Sequence, residues 1–163
     1  VTVTSKQYYH FLRARTESET AAYRPGMYEK REEEHGWMMD LYKEWHVGDA
    51  ASTEMIARRY VERFIGCVEN ITNPKCELSN KEKRQEIKKM LANPRVSKMV
   101  KIAKPRSVYM KIMLLPIKWK NTFLTYLEAK VITYVKIKNT KLFTKLKVGT
   151  ITIQPLITTL CRL

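Results

Sequence analysis

Four side chains near the amino terminus are the first that could handle a charged ligand. In YYHFLRARTESETAAY, His10, Arg13, Arg15 and Ser18 leave an aromatic, β-branched run together, and Thr20 follows them. Ligands of α/β sheets bind outside the carboxyl ends of strands. Guanidinium groups and hydroxyls placed there suit a diphosphate or a metal-bound leaving group. A surface mixture of Arg-x-Arg with Glu17 and Glu19 accounts for the same residues. Glu32-x-x-His35 matches half of a di-iron carboxylate motif, but that site needs a second copy and two further glutamates, and no second copy is present. A solvated acidic turn is the simpler reading. Asn70-Ile-Thr72 fits the glycosylation sequon, and His46 suits the negative end of a helix dipole.

Most site-forming motifs are missing. The five glycines stand apart at 26, 36, 48, 66 and 149, which excludes a dinucleotide fingerprint and a P-loop. Asp occurs only at 40 and 49, so no Asp-x-Asp metal–phosphate site exists. Cys67, Cys76 and Cys161 form no Cys-x-x-Cys pair and leave an odd thiol, which argues against a disulfide framework or zinc ribbon.

Charge is the strongest remaining signal. The 163 residues carry a net +15, yet residues 1–93 hold 16 Lys+Arg against 15 Asp+Glu. Residues 94–163 hold 15 Lys+Arg against one acid, Glu128. Within 105–147, Ile112, Met113, Leu115, Phe123, Leu127 and Val131 alternate with lysines that include Lys111, Lys118, Lys120, Lys130, Lys136 and Lys138, beside Trp119. Uncharged runs there reach seven residues, too short to span a bilayer. A basic amphipathic helix with aromatics fits an interfacial site on an anionic membrane surface. A core helix with a solvated basic face and a nucleic-acid-binding face also fit this pattern. Nucleic acid is disfavoured, because Arg106 is the only arginine in the segment and arginine is the usual reader of bases and phosphates.

The elements needed to position these groups follow from periodicity. Residues 1–12 read as one strand, which cannot satisfy its hydrogen bonds alone. Pro25-Gly26 closes a connection. A helix is expected over 27–46 with Met38, Leu41, Tyr42 and Trp45 on one face, and another over 51–70 with Ala57, Val61, Phe64, Ile65 and Val68 on one face. Ser79-Asn-Lys-Glu82 is a capping box, and Asn93-Pro94 pairs an N-cap with proline at N1. Pro116 should divide a short helix, 107–115, from a long one, 117–146. The uncharged stretch 148–161 reads as a ragged strand or a tail. The expected fold class is mainly α: a remnant strand and exit loop (1–26), a helical accessory domain (27–104), basic amphipathic helices (105–147) and an uncharged tail (148–163).

The order strand–YYHFLR–xRxxS–helix, then YEKREEEHGWMMDLYKEW, then YMKIMLLPIKWKNTFLTYLEAKVITYVK, resembles the carboxy-terminal part of bacterial family 2 glycosyltransferases of the capsule, exopolysaccharide and cell-wall type. The similarity runs over residues 1–147. Such enzymes transfer a sugar from a nucleotide-diphosphate donor to a glycan or lipid-linked acceptor, with Mg²⁺ or Mn²⁺ neutralising the diphosphate. The resemblance implies that His10 matches a metal or diphosphate ligand, and that Arg15, Ser18 and, more weakly, Arg13 line the donor–acceptor cleft. It also implies a carboxy-terminal fragment that lacks the Asp-x-Asp site and catalytic acid, is inactive alone, and docks peripherally on the cytoplasmic face of the cell membrane. A small basic nucleic-acid-binding protein and a module that docks on a partner protein are the alternatives.

Overall fold

Side-chain caps set most of the helix starts. In this computed structural model, which describes residues 22–139 and 141–143, helix α1 covers Met27–Glu44, α2 Ala50–Ile71, α3 Asn80–Ala92, α4 Pro94–Ile102, α5 Val108–Lys118 and α6 Thr122–Lys138. Residues 141–143 are also helical. Asp49 caps α2 by accepting from the Ser52 amide at 2.9 Å. The capping box of α3 is complete: Ser79 accepts from the Glu82 amide, and the Glu82 carboxylate accepts from the Ser79 amide at 2.8 Å. Asn93 then caps α4 through the Arg95 amide at 2.9 Å, with Pro94 at N1. α1 ends where His46 takes a left-handed backbone, φ 53°, and the amides of His46 and Val47 return to Lys43 and Tyr42.

The chain is mainly helical, and its described helices form a bundle around α2. α2 packs against α1, α3, α4 and α6, while α6 also packs against α3 and α5. The expected α2 face is buried: Ala57, Val61, Phe64, Ile65 and Val68 are at most 3% exposed. They meet Ile87 and Met90 of α3, Val100 of α4, Met113 and Leu114 of α5, and Ala129 and Ile132 of α6 in one continuous core. That core runs across residues 104 and 105, so the helical region and the basic helices share it. Hydroxyl and amide pairs close the bundle over long sequence distances. Thr72 bonds Thr133 at 3.0 Å, and the Tyr126 hydroxyl donates to Asn80 at 2.8 Å.

The strand over 1–12 and the stretch 148–161 lie outside the described residues, and no strand occurs among the described ones. Pro116 does not end α5, which continues to Lys118. Proline forfeits its own amide bond and costs about 3 kcal/mol inside a helix, but Met113, Leu114, Pro116 and Ile117 are all buried there and offset it. The break falls instead at Trp119–Asn121. The apolar face of α1 is present but is not core: Leu41 and Trp45 are exposed, and His35 is the only buried residue of that helix.

Candidate functional site

The basic surface is built on the α5–α6 hairpin. Ser107 starts α5 by accepting from the Met110 amide at 3.2 Å. At the corner the Trp119, Lys120 and Asn121 amides fold back onto the carbonyls of Leu115, Ile117 and Pro116. Lys120 takes a left-handed backbone, φ 51°. Asn121 then caps α6 through the Leu124 amide at 3.0 Å. This sharp reversal holds Lys118, Trp119 and Lys120 at an exposed tip, with Trp119 68% exposed.

Both helices extend that tip. Lys111, Leu115 and Lys118 stand at i, i+4 and i+7 on α5, all exposed. On α6, Phe123, Leu127, Lys130, Tyr134 and Ile137 recur at helical spacing, and every one is exposed. α6 is therefore apolar on two sides: Thr125, Ala129 and Ile132 face the core, and the second stripe faces outward. Lys130 stands 5.9 Å from the Tyr126 ring centre, and Lys138 is exposed in the last turn.

Lys136 belongs to the other side of α6. It lies nine residues from Leu127, about half a helical turn away in angle. Its ammonium reaches Glu69 of α2 at 3.4 Å and stands 5.5 Å from the Phe143 ring centre. Glu69 also accepts from the Tyr109 hydroxyl, and burial pushes that phenol well above its ordinary value, with the Glu69 charge adding to the shift. Glu128, the one acid among these helices, keeps a buried Oε2 without a hydrogen-bond partner, and burial raises its carboxyl to about 7.

A second polar cluster lies between α1, α2 and α4. Glu32 Oε1 accepts from the Tyr60 hydroxyl at 2.5 Å, while Oε2 accepts from Asn93 at 3.1 Å and from Arg95 at 3.0 Å. Asn93 also donates to the Tyr28 hydroxyl at 2.8 Å. His35 is 5% exposed, packs its ring 4.6 Å from that of Tyr60, and leaves Nε2 without a partner. Burial, then Arg95, holds His35 below its usual value. Tyr60 is pushed up, first by burial and next by Glu32. With both oxygens of Glu32 already engaged, this donor set fits a structural tie between helices better than a cation site. Among the described residues no three His, Cys, Asp or Glu side chains come together as metal ligands.

The sequence singled out Glu32 and His35 but not their partners Tyr60, Asn93 and Arg95. Those stand 28 to 63 residues from Glu32, beyond any local pattern. Asn70 of the sequon is tied to the backbone of Arg24 by two hydrogen bonds, and Thr72 to Thr133. His10, Arg13, Arg15 and Ser18 lie outside the described residues. No helix among the described residues is long and apolar enough to cross a membrane. No protein-family model, curated protein or solved structure matches the chain.

Proposed function

We propose that this chain docks on an anionic membrane surface through the α5–α6 face. The observation that carries the reading is the outward stripe of Trp119, Phe123, Leu127, Tyr134 and Ile137 set among Lys118, Lys120, Lys130 and Lys138. Apolar side chains of this kind reach the acyl boundary, aromatics settle at headgroup depth, and lysines meet anionic lipid. The resemblance to family 2 glycosyltransferases extends the proposal. The helices would be the accessory carboxy-terminal region of an enzyme that passes sugar from a nucleotide-diphosphate donor to a glycan or lipid-linked acceptor. Docking on the inner face of the cell membrane would bring a lipid-linked acceptor within reach, and the amino-terminal residues would close the donor cleft. The Asp-x-Asp metal site, the catalytic acid and with them the chemical step belong, on this reading, to residues that this sequence does not contain, while His10, Arg13, Arg15 and Ser18 line the donor–acceptor cleft.

Vesicle co-sedimentation tests the docking. The expected result is binding that prefers anionic over neutral vesicles and partly survives high salt, because the apolar part of interfacial binding is not screened. Failure to bind vesicles, together with salt-sensitive binding to DNA or RNA, would overturn it in favour of nucleic acid.

A further inference from the structure

Two helix faces of this molecule are apolar and uncovered, and they carry opposite charge. On α1 and its C-cap, Trp37, Leu41 and Trp45 recur every fourth residue on one face, and the two tryptophans are 64% and 62% exposed. Exposed Glu33, Asp40 and Glu44 flank that stripe. α1 as a whole holds six acids against three bases. The other face is the α5–α6 stripe, accompanied by the exposed Lys111, Lys118, Lys120, Lys130 and Lys138, while Glu128 is the one acid of the two helices and is half-buried. The two faces do not cover each other within one molecule: α1 packs on α2, while α6 packs on α2, α3 and α5.

We propose that the α1 face docks on the α5–α6 face of a second copy of this chain, with Trp37, Leu41 and Trp45 packed along Phe123, Leu127 and Tyr134. Charge complementarity identifies the occupant. The α1 face offers exposed Glu33, Asp40 and Glu44 and the α5–α6 face exposed lysines, whereas α1 against α1 would oppose acids to acids and α6 against α6 lysines to lysines. Like charges facing each other are costly at an interface. The shorter stripe fits along the longer: Trp37 to Trp45 spans about 12 Å of helix axis and Phe123 to Tyr134 about 16.5 Å, at 1.5 Å per residue. The contact is heterologous, so each copy offers one face of each kind and association continues past the dimer unless a ring closes. It stands without the membrane reading, but it uses the same lysines, so anionic vesicles compete with the second copy.

The test uses two variants of the full chain. Trp37→Ser/Trp45→Ser keeps the α5–α6 face, and Phe123→Ser/Leu127→Ser keeps the α1 face. All four positions are exposed, and circular dichroism checks that the helices remain. Light scattering at about 0.15 M salt, where the repulsion between two copies of net charge +15 is screened beyond about 8 Å, should show the unaltered chain gaining mass with concentration. Each variant alone should stay at 19.3 kDa, and their mixture should form a one-to-one dimer with the mass doubled. Should a variant lose its helical signal, Asp40→Lys/Glu44→Lys mixed with Lys130→Glu/Lys138→Glu replaces the pair: each alone should stay monomeric, and the mixture, with both contacts complementary again, should regain the growth in mass of the unaltered chain. A monomer at every concentration, association of either serine variant alone, or a mixture that does not dimerise would each overturn the proposal. The first of these, alongside intact vesicle binding, would leave the membrane reading standing.

Discussion

Replacing Lys118 and Lys120 together by glutamine removes two charges from the exposed corner and leaves the core untouched. A lysine close to an anionic surface contributes about 1 kcal/mol, so the pair contributes about 2 kcal/mol. At about 1.4 kcal/mol per tenfold change, the partition coefficient onto anionic vesicles should fall about thirtyfold. Lys136→Gln is the comparison. Its ammonium points back to Glu69 at 3.4 Å, on the side of α6 opposite the apolar stripe. Partitioning should change by less than about twofold, within the range of a surface charge held away from lipid. Its cost should appear as stability instead: about 0.5 kcal/mol for a half-exposed ion pair, seen as a small fall in melting temperature. The assay is co-sedimentation with vesicles of rising anionic content at low and at high salt. Because the screening length shrinks from about 10 Å at 0.1 M to about 3 Å at 1 M, high salt should erase the difference between the double variant and the unaltered chain. Equal losses from Lys136→Gln and from the corner variant would refute the assignment of a docking face, since bulk charge alone would then explain the binding.

Three further perturbations test the packing. Glu128 has its carboxyl raised by burial to about 7 from 4.5, so the folded chain keeps a proton that the unfolded chain releases. Its contribution is complete below pH 4.5 and is lost as pH rises to about 7; His35, lowered by burial, acts in the opposite sense as pH falls through 6.5. Glu128→Gln should therefore raise the melting temperature above pH 7 and leave the acid-side slope due to His35. Tyr60→Phe removes one donor from Glu32 and should cost about 1.5–2 kcal/mol in urea unfolding, with Arg95→Met adding less than its separate cost because both residues serve the same carboxylate. Met113→Ala, at a position with no exposure, should cost about 2–5 kcal/mol by the same measurement, and a loss under 1 kcal/mol would mean that α5 is not anchored in the core.

Local chemistry was the legible part of this fold. The Ser79–Glu82 box and the Asn93–Pro94 pair mark their helix starts because each satisfies orphan amides within one turn. The α2 face was legible because its apolar period coincides with real burial. The same period on α1 identified a face but not a cover, since spacing reports which side chains align and says nothing about what lies opposite. α6 carries apolar residues on two sides, so its sequence could not tell the core side from the outward one. Spacing sets Lys136 half a turn from Leu127, but which of those two sides meets the core is decided by contacts such as that with Glu69, 67 residues away. Pro116 misled through a rule about backbone amides that ignores how much apolar surface the following turn buries. The corner at Trp119–Asn121 had no glycine to mark it; Lys120 takes the left-handed turn itself.

The bundle's closing contacts also set the order in which a nascent chain can be completed. Thr72 meets Thr133 across 61 residues, and α6 is the last of the long helices among the described residues. At about 5–20 residues per second, a ribosome takes about 3–12 s to travel between those two threonines. During that interval the side of α2 destined for α6 has emerged without its cover. The transit time is far longer than helix formation, which is complete within about a microsecond. The side of α2 destined for α6 therefore stays uncovered for seconds, and faster translation through residues 72–133 shortens the period in which that apolar surface is open to other chains.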